Sequence, residues 1–217
     1  MRLVLIEFSS LDGVTQGPGS PEEDPSDGFV RGGWFVPYLE EEFIETCRAW
    51  AGQADAYLFG RRTYTAFARD WPNMPDLDDP VARAFNTLPK HVVSDTLDAG
   101  DAGWDPTTII TGDVESQIVA LKAKPGRECQ IHGSTRLARW LFSAGLIDEL
   151  RLVVAPVVVG HGRRLFDADD HATGLQLDAV RQTPGGLTIL TLHVDGPATV
   201  GTYDPAVHMF DHAGRSD

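Results

Sequence analysis

Cys129-Gln-Ile-His-Gly-Ser-Thr-Arg-Leu-Ala-Arg-Trp-Leu141 runs from an apolar strand through a tight Gly133-Ser134 turn directly into an amphipathic helix. A helix that opens this way leaves its first backbone N–H groups unpaired and adds a partial positive dipole, which suits an anion. Gly133 permits close backbone approach, Ser134 or Thr135 is placed to cap the helix, and Arg136 adds a permanent charge. The same residues also fit an ordinary capped strand-to-helix turn, and the segment alone does not choose between these readings.

Working outward, the same grammar of strand, glycine and helix recurs. Ala56-Tyr-Leu-Phe59 reads as a short strand stopping at Gly60-Arg-Arg-Thr-Tyr64, with a helix over Thr63 to Asp70 that ends near Trp71-Pro72. Lys90 to Ser94 and Thr107 to Thr111 read as strands, and Asp113 caps a helix carrying Ile118, Val119 and Leu121. Arg2 to Phe8 is a buried first strand closed by an Asp12-Gly13 turn. Thr15 to Pro37 is rich in Gly, Pro and acid, a long loop of the kind that is either functional or disordered. Tyr38 to Ala51 is expected as a helix with Leu39, Phe43, Cys47 and Trp50 on one stripe, widened by Ile44 and Ala51. Glu40 falls inside that stripe, so it either faces inward or complements the helix dipole from solvent.

Beyond Asp148 the pattern changes to long strands at 149–155, 175–183 and 187–194, the last two flanking the hairpin signal Pro184-Gly-Gly186. A short strand is expected at Thr199 to Tyr203 and a flexible tail over 204–217. Alternating strands and helices followed by a hairpin predict an α/β fold with a mixed, mostly parallel sheet. Ligands gather at the carboxyl ends of strands in such sheets.

Composition narrows the partners. The 217 residues carry a formal net charge of −14, with a pI near 4.7, which argues against nucleic acid and anionic membranes. No apolar run reaches about 18 residues, and the first strand-like residues lack the shape of a signal peptide, so a cytoplasmic protein is expected. Cys47 and Cys129 have no partner spacing for a disulfide framework or a metal site. A soluble protein acting on a small molecule fits best.

Four motifs in order carry a family resemblance: Ser10-Leu-Asp-Gly13; Leu58-Phe-Gly-Arg-Arg-Thr-Tyr64; Ile131-His-Gly-Ser-Thr-Arg-Leu137; and Gly145-Leu-Ile-Asp-Glu-Leu-Arg-Leu152 with Ala155-Pro-Val-Val-Val-Gly-His-Gly-Arg-Arg-Leu-Phe166. Together they resemble the dihydrofolate reductase superfamily, and within it the reductase (RibD C-terminal) domain of riboflavin biosynthesis proteins. The resemblance implies a three-layer fold over residues 1–203 and an NADPH-dependent reductase of a heteroaromatic or sugar-derived substrate, often homodimeric. It places the cofactor at Gly60, Arg61, Arg62, Thr63, Ser94, His132, Gly133, Ser134, Thr135 and Arg136, with Arg61 or Arg62 on the adenosine 2′-phosphate. It implies substrate contacts from Phe8, Trp34 and Pro156, and a loop over Thr15 to Pro37 that either closes with Phe29, Trp34 and Phe35 as an apolar lid or is an ordered surface insertion whose aromatics pack on the body.

The chain also departs from that pattern. Trp34-Phe-Val-Pro37 matches a segment that dihydrofolate reductases follow, two residues after the proline, with a substrate-holding carboxylate; here that position is Leu39, with Glu40 one step beyond. Val14, Thr15 and Gln16 stand where riboflavin-type reductases carry a lysine. Asp12 and Glu40 are therefore the candidate catalytic carboxylates, although Asp12 equally suits a hydrogen bond within its own turn. A nucleotide- or flavin-binding module that has lost the chemistry is the alternative.

Overall fold

The computed structural model describes residues 1–98, 100, 102–166 and 172–203. The apolar run near the N-terminus forms β1 (Arg2–Ser10), hydrogen-bonded parallel to β5 (Glu128–His132) on one side and β6 (Glu149–Ala155) on the other. That central place explains its near-continuous apolar character, since a strand covered on both faces has no side to leave polar. Beyond β5 lie β2 (Ala54–Gly60), β3 (Lys90–Val93) and β4 (Thr107–Ile110), all parallel. Beyond β6 the antiparallel β8 (Thr188–Pro197) and β7 (Thr173–Gln182) complete an eight-stranded sheet ordered β4-β3-β2-β5-β1-β6-β8-β7. The mixed, mostly parallel sheet with its antiparallel hairpin is the architecture expected from the sequence.

Alternate side chains commit the sheet to two helical layers. Leu3, Leu5, Leu58 and Ile131 face α4 (Val114–Ala123) and α5 (Thr135–Ser143), whose Ile118, Leu121 and Leu141 complete that core. On the opposite face Tyr57 and Phe59 pack with Tyr64 of α2 (Arg61–Asp70) and Phe85 of α3 (Pro80–Thr87). Val153 and Ala155 pack there against Phe43 of α1 (Glu41–Ala51) and the loop aromatics Phe29, Trp34 and Phe35.

Several boundaries move. α1 begins at Glu41 because a 3-10 turn over Val36–Tyr38 intervenes, which takes Leu39 out of the buried stripe and leaves it 48% exposed. α2 starts at Arg61, directly after Gly60. α3 was not anticipated, although Asp79 caps it through Val81 N and Ala82 N and Pro80 opens it. No strand forms over Thr199 to Tyr203; β8 ends at Pro197. The expected tail, 204–217, lies outside the described residues. No helix among the described residues is long and apolar enough to cross a membrane.

At the amino ends of the strands the α1 side of the sheet is ionic rather than apolar. Arg151 bonds Glu128 at 2.6 Å and Glu149 at 2.7 Å, and Arg2 bonds the same two carboxylates at 2.8 and 2.6 Å. Arg151, Glu128 and Glu149 are buried, so removing one partner strands the others away from water. Arg151→Ala is expected to lower the unfolding free energy by about 3–5 kcal/mol in urea denaturation, the usual range for breaking a buried pair.

Candidate active site

Parallel pairing of β2, β5 and β1 brings three strand ends together, and two of them turn immediately into helices. α2 starts from an extended Gly60 and α5 from a left-handed Ser134 (φ 60°), and neither helix has a side-chain cap. Gly133, also left-handed at φ +56°, faces α2: a Cβ there would lie 4.0 Å from Thr63 Oγ1 and would begin to fill the space between the helix starts. The expected caps do not form. The backbone N–H of Gly60 donates to Ser134 Oγ at 3.0 Å, tying the two turns together, while the hydroxyls of Thr15 and Thr135 share a 3.1 Å hydrogen bond. The opening N–H groups of both helices are thus left without a side-chain partner, the arrangement that holds phosphate.

The charges around these starts agree with that reading. Among the described residues Arg61, Arg62 and Arg136 have no carboxylate partner; Arg61 donates to Thr96 Oγ1 at 2.7 Å and Arg62 to Ser26 Oγ at 3.4 Å. Arg163, which also lines the cleft, is spent on the loop and pairs with Asp24 and Asp27. The cleft also carries apolar side chains, with Val36, Leu39, Met74 and Trp140 exposed along it beside Ile6 and Phe8, and several carboxyl groups. Among the described residues no cluster of His, Cys, Asp and Glu is placed to hold a metal ion.

Of the residues singled out from sequence, the cleft gathers Phe8, Gly60, Arg61, Arg62, Thr63, His132, Gly133, Ser134, Thr135 and Arg136. His132 packs its ring on Tyr57 and Phe85, and burial, with the nearby Arg151 charge, pushes its pKa down to about 3, so it is neutral. Asp12, Trp34, Glu40, Ser94 and Pro156 do not line the cleft. Asp12 accepts from Val159 N at 2.9 Å and Gly160 N at 2.8 Å, stitching the turn after β1 to the segment after β6. Desolvation pushes its carboxyl up, but hydrogen bonds from Ser10, Val159 and Gly160 outweigh this and bring its pKa down to about 2. Glu40 neither faces the core nor stands free in solvent: both its oxygens accept from Gly185 N, at 2.8 and 2.9 Å, clamping the β7–β8 turn.

Ser94 Oγ accepts from Thr96 N and Leu97 N, and Pro156 is exposed next to the Gly186 turn. Trp34 donates its indole N–H to Gln16 O, Phe35 stacks on Phe8 at 4.5 Å, and Phe29 is buried with them. The loop aromatics are therefore packed on the body as core residues.

Of the carboxyl groups that line the cleft, Glu7 on β1, Glu23 and Asp24 in the loop and Glu115 on α4 are not among the residues singled out from sequence. Glu7 did leave a signal, a charged residue inside the apolar run Leu3-Val-Leu-Ile-Glu-Phe8.

Comparison with known proteins gives this geometry a family context. The RibD C-terminal domain model matches residues 2–189. An uncharacterized protein of Bacillus subtilis, YyaP, is 25% identical over 201 residues, covering 90% of this chain and 96% of its own. Among solved structures, a putative riboflavin biosynthesis protein from Shewanella superposes with a TM-score of 0.64 at 20% identity, covering 89% of this chain and 99% of its own. A pyrimidine reductase-like protein from Corynebacterium diphtheriae gives 0.58 at 16% identity, with 89% and 91% covered. RibD of Acinetobacter baumannii gives 0.57 at 18% identity, with 89% of this chain and 58% of its own covered.

The Asp12 geometry sets a pH signature. Its pKa in the fold lies below the ordinary 3.8, so its contribution to stability is complete above that value and disappears as pH falls toward about 2. Asp12→Asn is expected to lower the melting temperature at pH 7, with a gap to wild type that closes below pH 3.8 in a series of thermal unfolding scans.

Proposed function

The chain belongs to the RibD C-terminal domain family, and we propose that it is an NADPH-dependent oxidoreductase reducing a small heteroaromatic or sugar-derived substrate of the pterin or pyrimidine-ribose kind. One observation carries this reading: in a chain of net charge −14, three arginines without carboxylate partners among the described residues surround two uncapped helix starts joined by Ser134. Phosphates of a dinucleotide match such a double start. Arg61 and Arg62 suit the adenosine 2′-phosphate, which guanidinium pairs in bidentate fashion. The apolar side chains of the cleft, Phe8, Val36 and Leu39 among them, suit the uncharged nicotinamide and the acceptor ring.

The cofactor, when bound, supplies the hydride. The protein has to hold donor and acceptor carbons together and exclude water. Phe8 and Phe35, stacked beneath the cleft, give the acceptor a rigid apolar floor. The descriptions of the Shewanella and Corynebacterium proteins as riboflavin biosynthesis and reductase-like proteins support the same reading.

A non-catalytic nucleotide- or flavin-binding module is favoured by one observation, that Asp12 and Glu40 both lie outside the cleft. Catalysis separates the two readings. NADPH oxidation in the presence of a dihydropterin, a ribosylaminopyrimidine, a quinone or an aldehyde establishes the reductase, whereas tight binding without turnover of any of them establishes the module.

The cofactor assignment is tested by ligand-induced stabilisation. NADPH is expected to raise the melting temperature more than NADH at equal concentration, because only NADPH presents the 2′-phosphate. Arg61→Gln with Arg62→Gln removes charge-assisted hydrogen bonds, each worth about 1.5–3 kcal/mol, and is expected to weaken NADPH binding by roughly 10-fold or more while leaving NADH unchanged. Equal stabilisation by the two cofactors in wild type overturns the assignment.

A further inference from the structure

Reducing a C=N or C=O bond takes a proton as well as a hydride, and the two carboxylates that the sequence suggested for that role are engaged in holding turns. Most acids lining the cleft are also committed. Asp70 is paired with Arg69, Asp24 with Arg163, and Asp113 caps α4 through Ser116 N. Glu115 is exposed on α4, and Glu23 accepts from Gly19 N at 2.5 Å. Asp24, Asp70 and Asp113 are held below their ordinary pKa by these bonds, Glu115 is solvated, and Glu23, although burial raises its pKa, already bonds a backbone N–H.

Glu7 is different. It lines the cleft from the central strand yet is only 2% exposed, and its Oε2 is buried with no hydrogen-bond partner among the described residues. The charged group acting on it is Glu23, which is of like sign; Arg136 of α5 and the neutral His132 of β5 line the same cleft. A carboxylate buried without a cation or donor is strongly disfavoured, whereas the neutral acid carries one O–H to give. Burial first, and then Glu23, hold the Glu7 pKa well above its ordinary value.

We propose that Glu7 is the acid of this site, an assignment that rests on the reductase reading above. In the step, the π bond of the C=N or C=O group breaks as hydride from NADPH forms a C–H bond at carbon. The Glu7 proton forms the N–H or O–H bond at the other atom. The substrate gains two electrons, the nicotinamide is oxidised, and the Glu7 carboxylate recovers a proton from water.

The test begins with protein labelled with carbon-13 at glutamate carboxyls, in which the signal missing from Glu7→Gln reports Glu7. That signal is expected at the position of a neutral acid at pH 7 and is expected to move when NADPH is added. An ionised signal at pH 7, or one indifferent to NADPH, overturns the assignment.

A second readout is thermal. Keeping Glu7 protonated in the fold costs more as pH rises above the ordinary 4.5, so Glu7→Gln is expected to gain in melting temperature over wild type from pH 5 to pH 8. A gap independent of pH counts against it.

With whichever acceptor the wild type reduces, Glu7→Gln is expected to keep KM and lose kcat by about 100-fold or more, the usual worth of a positioned acid. A variant with kcat close to wild type removes the proposal. Failure of NADPH to stabilise the wild type removes the reductase reading itself; normal NADPH stabilisation with an ionised Glu7 removes only the Glu7 assignment.

Discussion

Everything at the cleft depends on β5 lying between β2 and β1 and running parallel to both. The register pairs Leu58 with Ile131, which sets Gly60 level with Gly133, so two helix starts emerge side by side at one end of the sheet. Reversing β2 or β5 would send its helix start to the opposite end. The hydrogen bond from Gly60 N to Ser134 Oγ then makes the pair a single unit. Ser134 supplies the hydroxyl that joins the two turns. It also places a non-glycine residue in the left-handed region, a conformation that costs on the order of 1 kcal/mol or more.

The opposite end of β5 is held by charge. Glu128 and Glu149 share Arg2 and Arg151, two anions and two cations, and Gln130 links this cluster to α1 by donating to Glu128 Oε2 and to Trp50 O, each at 2.8 Å. Such a cluster is a poor source of net stability, because desolvation offsets most of the attraction, but it is exacting about geometry. Arg151 lies over the Trp50 ring at 5.6 Å, so α1 is seated by a cation–π contact as well as by its backbone carbonyl. Gln130 Oε1 meets His132 Nε2 at 3.3 Å, which extends the polar chain from the cluster to the edge of the cleft. Burial, reinforced by the Arg151 charge, keeps that histidine neutral.

The fold was legible because its signals are local. Apolar runs, the glycine turns at 60 and 133 and the Pro184-Gly-Gly186 hairpin each declare themselves within a few residues. The nucleotide side of the cleft was legible for the same reason, since Gly60-Arg-Arg-Thr63 and Gly133-Ser-Thr-Arg136 each carry their own chemistry. The carboxylates were not legible, because their partners lie far along the chain. Nothing near Asp12 announces Val159 and Gly160, and nothing near Glu40 announces Gly185. The loop aromatics were ambiguous because burial of a loop is decided by what it covers, here Phe8 and Phe43. α3 differs: Asp79 and Pro80 carry both a cap and a first-turn signal, but its 8 residues give a periodicity too short to stand out in the sequence.

The loop over 15–37 has almost no secondary structure of its own; it is sutured to the segment after β6. Thr15 N donates to Arg163 O, Arg163 N to Gln16 Oε1, Arg31 to Val159 O, and the Arg163 guanidinium grips Asp24 and Asp27. Asp12 adds its own two bonds at the base. One wall of the cleft is thus woven from two stretches that are distant in sequence. Neither stretch can be transplanted alone into a relative: a graft that carries 15–37 without 156–166 brings acids with no arginine to meet them. Altering what this scaffold accepts therefore means exchanging both strips together, as one inherited unit.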